Sequence, residues 1–220
     1  MKNPLITILV AAYNQEKYIG RCIRSLLAQN FPKEDYEIVV IEDGSSDRTG
    51  YALELFSGDI TVLKNEQNLG LPASLNIALK KIKTPFFVRV DSDDFVSRNF
   101  LLHLSAFINY NAHMDAVACD YNLVDDNEKV IERKNCMEEP IACAILFRTD
   151  QVVEIGCYDE NFLLHEERDL RFRFLQNFSI HRLEMPLYRY RRHENNITNN
   201  KEAMDFHMTA LKQKHGTENL

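Results

Sequence analysis

Residues 86–94 read FFVRVDSDD, a mostly apolar run that ends in three carboxylates. The apolar part is typical of a strand buried in a parallel sheet. Crowded carboxylates repel one another, so packing gives no reason to place Asp91, Asp93 and Asp94 together. A bound divalent cation removes that cost, and oxygen ligands suit Mg²⁺ or Mn²⁺. Because such ions commonly bind together with phosphate, the stretch predicts an enzyme that handles a nucleotide diphosphate.

Three more apolar runs precede this one and predict strands of the same sheet, at residues 5–12, 37–41 and 60–63. Apolar residues at helical spacing follow each of these strands and the fourth one. The predicted helices cover about residues 18–27, 47–56, 71–82 and 98–110. Since strand and helix alternate, the sequence predicts an α/β fold with a mixed, mainly parallel sheet flanked by helices.

Polar clusters follow three of the predicted strands, at residues 13–14, 42–43 and 91–94. In open α/β sheets, ligands bind beyond the carboxyl ends of the strands. Three separate strand ends that bring polar groups to one edge are a stronger signal than any single motif. We therefore expect a binding site at this edge of the sheet.

The pattern changes after about residue 114. Extended segments are predicted at residues 114–124, 129–132, 142–147 and 180–190, with a helical turn at 151–155 and a helix at 167–175. The residues after about 201 have no strand pattern and suit a loose helix. We expect one domain over residues 1–200, whose two halves meet near residue 113, and a C-terminal tail at 201–220.

The composition is that of an ordinary soluble globular protein, with 45% hydrophobic and 27% charged residues. A net charge of −7 argues against a nucleic-acid binder, which needs a basic face. The five cysteines form no CxxC pair, so reduced thiols are expected rather than a zinc site or disulfides. No segment has the character of a signal peptide or a spanning helix. These features favour a cytoplasmic protein, with peripheral contact at the inner face of the membrane left open.

Six motifs in order along the chain resemble those of a known family. They are AAYN at 11–14, EIVVIEDGSSD at 37–47, NLGL at 68–71, DSDD at 91–94, HEERDL at 165–170 and YRRH at 190–193. The chain resembles a family 2 glycosyltransferase of the GT-A fold over roughly residues 5–198. The resemblance implies that about residues 1–113 bind a nucleotide-diphosphate sugar, with a UDP-sugar favoured. It also implies that about residues 114–200 face a hydroxyl acceptor on a glycan or lipid-linked intermediate, in polysaccharide biosynthesis.

The resemblance implies a set of site residues. Tyr13 would stack on the base and Asp43 would accept a hydrogen bond from it. The expected nucleotide-sugar-binding residues are Ala11, Tyr13, Asp43, Asn68, Gly70, Arg89, Asp91, Ser92, Asp94 and Arg191. Arg191 belongs to a basic segment that could clamp the diphosphate. Side chains alternate along a strand, so Asp91 and Asp93 are expected to face one way and Asp94 the other. Asp93 is the main candidate ligand of Mn²⁺ or Mg²⁺, helped by Asp91 and His193, while Asp94 would orient the sugar or pair with Arg89.

An inverting transfer needs one carboxylate to take the proton of the acceptor hydroxyl. Glu167 is the candidate base, and Glu166 is its rival, with Asp169 a weaker one. The family usually has aspartate at the second acidic position, where this chain has glutamate. The alternative is a purely structural role, in which these acids form the first turn of a helix, where negative charge is favoured.

Three alternatives stay open on sequence alone. A non-catalytic nucleotide-sugar binder would keep the acidic triplet without transferring the sugar. A nucleotidyl transferase would need a glycine-rich basic loop after the first strand, where this chain has YNQE at 13–16. Inversion of anomeric configuration is favoured and retention is also open, and the sequence does not give the donor sugar, the acceptor or the oligomeric state.

Overall fold

A computed structural model describes residues 3–193 and 201–216. Within them, nine strands form one sheet and seven α-helices flank it. The strands are β1 (Ile6–Ala12), β2 (Tyr36–Glu42), β3 (Thr61–Lys64), β4 (Phe86–Arg89), β5 (Phe95–Val96), β6 (Ala116–Val124), β7 (Val130–Lys134), β8 (Ile145–Arg148) and β9 (Ile180–Arg191). The helices are α1 (Ile19–Leu27), α2 (Thr49–Glu54), α3 (Leu71–Leu79), α4 (Phe100–Tyr110), α5 (Thr149–Glu154), α6 (Glu166–Phe174) and α7 (Lys201–His215).

The first four strands form a parallel unit in the order β3-β2-β1-β4. Strand β1 lies at its centre, with Ile6 opposite Tyr36 of β2 and opposite Phe86 of β4. Ile8, Leu9 and Val10 are fully buried, as expected of a central strand that is covered on both faces. The α/β fold and the mainly parallel arrangement of this half are confirmed.

The remaining strands extend the sheet in mixed directions. Strand β8 runs antiparallel to β4, and β6 pairs antiparallel with β8. Strand β9 is parallel to β6, while the short β5 is antiparallel to β9. The β5–β9 pair brings the residues after the acidic triplet next to the end of β9, although about 95 positions of sequence separate them. The sheet itself thus assembles part of the site.

Most predicted elements are confirmed within a few residues, and the differences have local causes. Strand β8 begins at Ile145 rather than at 142, because Ala144 has a positive φ of 63° that is incompatible with an extended strand. Strand β5 is only two residues long and was not expected. The predicted C-terminal helix is present as α7, and its Leu211 is fully buried. None of the helices in the described ranges is both long enough and apolar enough to span a membrane.

Candidate active site at the carboxyl edge of the sheet

The acidic triplet forms a turn between β4 and β5. Because β4 ends at Arg89, strand alternation does not set the directions of these carboxylates, and the expectation built on it is wrong. Asp94 is buried and accepts hydrogen bonds from the Tyr188 hydroxyl and the Arg191 amide, each at 2.7 Å. Burial, together with the charge of Asp93, raises the pKa of Asp94 well above its usual value. Asp94 therefore fastens the turn to β9.

Arg89 holds two carboxylates from opposite halves of the chain. Its Nε donates to Asp91 Oδ1 at 2.7 Å, and its Nη1 donates to Glu166 Oε1 at 2.8 Å. The expected alternative pairing of Arg89 with Asp94 is therefore wrong. Although burial opposes the charged form, the two carboxylates raise the pKa of Arg89 well above its usual value. Arg89 joins the acidic turn to the start of α6.

Asp93 is paired with His193. Its Oδ2 lies 2.9 Å from His193 Nε2, across 100 positions of sequence. The imidazole stacks on the ring of Tyr18, with 4.8 Å between ring centroids. Burial and the nearby charge of Asp91 raise the pKa of Asp93. The structure thus brings Asp93 and His193 together, while the ligation of a cation by Asp93, Asp91 and His193 stays a prediction.

The donor set fits Mn²⁺ or Mg²⁺. Carboxylate oxygens suit such ions, and a cation would relieve the repulsion between Asp91 and Asp93. Both carboxylate oxygens of Asp91 already accept hydrogen bonds, Oδ1 from Arg89 Nε and Oδ2 from the Cys143 thiol at 3.2 Å. Asp93 is therefore better placed than Asp91 to be the main ligand. A second group, Asp91 with Asp94 and Cys143, has ligand atoms within 4.8 Å of one another.

The loop after β2 is built around Asp43. Its buried carboxylate accepts from Asn65 Nδ2 at 2.8 Å and from the amides of Leu69 and Gly70 at 2.9 and 3.0 Å. Asn68 Oδ1 also accepts from the Gly70 amide. Asp43 thus shapes the loop that contains Asn68 and Gly70, and its contact with a base stays a prediction.

Tyr13 and Asn14 form the open side of this edge. The Tyr13 side chain is exposed at the end of β1, which suits a stacking platform. Asn14 has a positive φ of 52°, and its Oδ1 accepts from the Ser46 amide. This bond ties the loop after β1 to the loop after β2. Ala11 lies in β1 just before them, and Ser92 is buried in the acidic turn.

Arg191 is buried rather than open to the cleft. Its Nε donates to the Asp93 carbonyl at 2.9 Å, and its Nη1 donates to the Asp126 carbonyl at 3.2 Å. Its guanidinium carbon also lies 5.1 Å from the centroid of the Tyr18 ring. Arg191 therefore holds the acidic turn in place, and its contact with a diphosphate stays a prediction.

Helix α6 begins with the two candidate bases, in different environments. Glu166 is buried against Arg89, and burial raises its pKa above the usual value. Glu167 keeps 30% of its side chain exposed, and burial raises its pKa as well. His165, at the N-cap, has a left-handed φ of 63°, and its Nε2 donates a hydrogen bond to the Met204 carbonyl of α7 at 3.1 Å. Of the two candidate bases, Glu167 is thus the more accessible to solvent.

Helix α7 is fastened to α6 through Asp169. This fully buried carboxylate contacts Lys214 Nζ at 2.5 Å and His215 Nε2 at 2.9 Å, both on α7. Its other oxygen lies 2.7 Å from Arg173 on its own helix. Asp169 is therefore committed to structure, which removes it as a rival to Glu167.

Three site residues were not found from the sequence: Tyr18, Cys143 and Tyr188. Tyr188 accepts from the Asp91 amide at 3.1 Å and donates to Asp94. Cys143 contacts Asp91, and Tyr18 supports His193. Each contact spans more than 50 positions of sequence, so no local pattern predicts it. Only the aromatic character of the 188–190 run could have suggested a buried partner.

Two bacterial glycosyltransferases are similar in sequence to part of the chain. An uncharacterized glycosyltransferase of Haemophilus influenzae is 34% identical over 128 residues, which cover 57% of this chain and 39% of the relative. TarS of Staphylococcus aureus, a poly(ribitol-phosphate) beta-N-acetylglucosaminyltransferase, is 37% identical over 114 residues. That match covers 50% of this chain and 20% of TarS. The chain thus spans well under half the length of these two relatives.

Solved structures share the fold. TarS residues 1–349 in complex with UDP-GlcNAc align with a TM-score of 0.76 at 24% identity, over 93% of this chain and 65% of that chain. The mannosyltransferase PcManGT of Pyrobaculum calidifontis, in complex with GDP-Man and Mn²⁺, aligns with a TM-score of 0.77 at 14% identity. That alignment covers 98% of this chain and 65% of that chain. Residues 7–171 match the profile of glycosyl transferase family 2, so the chain belongs to that family.

Proposed function

We propose that the protein transfers a sugar from a nucleotide-diphosphate donor, with UDP-sugar favoured, to a hydroxyl group of an acceptor. The observation that carries the proposal is one continuous site: Asp93 paired with His193, and Asp91 joined through Arg89 to the start of α6. Family membership supports it, as do the UDP-GlcNAc of the TarS structure and the Mn²⁺ of the PcManGT structure.

Asp93 and His193 are the residues that would hold Mn²⁺ or Mg²⁺, with Asp91 beside them. When bound, the cation would neutralise charge that grows on the leaving diphosphate. Tyr13 offers its exposed ring to the base. Arg191 and Tyr188 act indirectly, because they fix the backbone and the side chains of the acidic turn.

Glu167 is the proposed base. Its carboxylate takes the proton of the acceptor hydroxyl while that oxygen forms a bond to the anomeric carbon. The bond from the anomeric carbon to the diphosphate breaks at the same time, and the nucleoside diphosphate leaves with its electron pair. Attack from the opposite face gives inversion. Glu166 is less suited to this role, since it is buried and already paired with Arg89.

The test replaces the base and keeps the donor site. Glu167→Gln is expected to lose transfer by about 10²- to 10⁴-fold, the usual worth of general-base catalysis. It should still bind UDP in the presence of Mn²⁺. The matched control is Glu154→Gln, on an exposed position of α5. Full transfer by Glu167→Gln would show that the base is another group.

Product analysis separates this activity from its rivals. Sugar transfer releases a nucleoside diphosphate, whereas nucleotidyl transfer releases pyrophosphate. A non-catalytic binder would bind the donor and release neither. Proton NMR of the new anomeric linkage distinguishes inversion from retention. We propose a glycan or lipid-linked intermediate as the acceptor, met by the elements that follow residue 140.

A further inference from the structure

Helix α6 presents three sets of side chains to three different surroundings. The buried core-facing set is Glu166, Leu170 and Phe174. Asp169 and Arg173 face α7 and residues 155–157, where they form ion pairs and hydrogen bonds. Glu167 and Arg171 are four positions apart and therefore lie on one remaining side of the helix, one turn from each other.

Among the described residues, no counter-ion contacts Arg171, whereas the other charged groups of α6 are paired. In the described chain, no carboxylate lies within 4.0 Å of its guanidinium. Its Nη1 is inaccessible to solvent and makes no hydrogen bond with the described residues. The contact of Nη2 is with Met137 Sδ, at 4.0 Å. Burial lowers the pKa of Arg171, whereas Arg89 on the neighbouring strand has its pKa raised by two carboxylates.

Arg171 is half-buried, and an anion that binds to the accessible side of a partly desolvated cation stabilises its charge. The planar fork of a guanidinium suits the paired oxygens of a phosphate or a carboxylate. The structure therefore offers a half-buried guanidinium that can bind an anion, one helical turn from the proposed base.

Arg171 lies along the same wall as the acidic turn. The segment between β7 and β8 contains Met137, whose sulfur contacts Arg171, and Cys143, whose thiol contacts Asp91. Six positions along the chain therefore connect the two groups. The nucleotide loops around Tyr13 and Asp43 belong to the other half of the sheet. Arg171 therefore contacts the half of the chain that the proposed function assigns to the acceptor rather than to the nucleotide.

We propose that Arg171 binds an anionic group of the acceptor, a phosphate ester or a carboxylate, next to the hydroxyl that Glu167 deprotonates. The inference rests on the proposed function, which it extends by giving the chemical class of the acceptor. A charge-assisted hydrogen bond of this type is worth about 10- to 100-fold in affinity or in kcat/KM.

The experiment compares small acceptors that differ by one anionic group. Glycerol 1-phosphate is tested against glycerol, and glucuronate against glucose, with UDP release as the readout. The anionic member of at least one pair should be preferred about 10- to 100-fold in kcat/KM. Arg171→Gln should abolish the preference, Arg171→Lys should restore part of it, and UDP affinity should be unchanged in both. Arg24→Gln, at an exposed position of α1, is the matched control.

A binding readout keeps the inference independent of activity. Glycerol 1-phosphate and glucuronate, without donor, should raise the melting temperature of the wild type and of Glu167→Gln, but not of Arg171→Gln. If neither probe does so, or if Arg171→Gln responds as the wild type does, the inference is overturned. If the probes stabilise through Arg171 but no donor is consumed, the anion site stands and the proposed transfer fails. A fall in UDP affinity of Arg171→Gln would instead assign the residue to the donor diphosphate and overturn the acceptor role.

Discussion

The parallel half of the sheet, β1 to β4, and the mixed half, β5 to β9, satisfy their buried polar groups in different ways. In the parallel half, Asp43 is satisfied by loop amides and one asparagine nearby. In the mixed half, charged side chains are buried against charges from distant segments, as Asp169 is against α7. The first arrangement depends on backbone shape and the second on ion pairs. The two halves should therefore respond differently to substitution and to pH.

The largest expected effect is at Arg89, which joins the two halves. Arg89→Met leaves Asp91 and Glu166 buried or half-buried without their cation, which typically costs about 3–5 kcal/mol of stability. Urea unfolding measures this loss in the free energy of unfolding, and Arg24→Met at an exposed position of α1 is the control. A loss below about 1 kcal/mol, the size of an exposed pair, would mean that the halves do not depend on this residue.

The parallel half should be sensitive to backbone shape. Gly44 has a φ of 68°, and an added Cβ would lie 2.5 Å from the carbonyl carbon of Gln67. Gly44→Ala should therefore cost about 1–3 kcal/mol or more. Gly50, in α2, has open space around its Cα, so Gly50→Ala should stabilise the protein by about 0.5–1 kcal/mol. Equal effects of both changes in chemical denaturation would contradict the steric explanation.

The stability of the mixed half should depend on pH through the titration of Asp120. Although burial opposes the charged form, hydrogen bonds from Arg182 and Arg133 lower the pKa of this carboxyl from 3.8 to about 2. A lowered folded-state pKa gives stability that is present above the unfolded-state pKa and is lost as pH falls from about 4 toward 2. The wild type should lose on the order of 2 kcal/mol more than Asp120→Asn over this window. Parallel pH profiles of the two proteins in urea would refute this.

The smallest expected effect is at the surface contact between the halves. Arg21 on α1 donates to Glu128 in the β6–β7 turn at 2.8 Å, and both side chains are more than one-third exposed. Arg21→Gln should cost less than about 1 kcal/mol, and the difference should shrink in high salt. A larger, salt-independent loss would show that this exposed pair, and not only Arg89, joins the halves.

The parallel half could be predicted from sequence because its signals are local. Buried strands appear as apolar runs, and the polar residues that follow them end up at one edge, as with Tyr13 and Asp43. The mixed half is different, because its contacts are long-range. Nothing near residue 91 predicts that Tyr188 binds its amide 97 positions away. The turn at 91–94 also broke the expected alternation, since β4 ends at Arg89.

The sequence predicted which residues lie in the site better than it predicted what each of them does there. Asp93 and His193 were expected together and lie 2.9 Å apart. Arg191 was expected on the diphosphate, yet its guanidinium is buried against backbone carbonyls. A basic motif gives the charge of a segment, while tertiary packing decides whether that charge meets a ligand or supports a loop. The same reasoning separates Glu166 from Glu167, which sequence alone left as rivals.

Under the proposed function, Asp93 and His193 would exchange their mutual contact for a divalent cation beside the diphosphate of the donor. Isothermal titration of UDP with and without Mn²⁺ tests it most directly, on the wild type, Asp93→Asn and Glu167→Gln. We predict that Mn²⁺ strengthens UDP binding at least about tenfold in the wild type and in Glu167→Gln, and has no effect in Asp93→Asn. Equal affinity with and without Mn²⁺ in the wild type, or an undiminished response in Asp93→Asn, is the result that contradicts the claim.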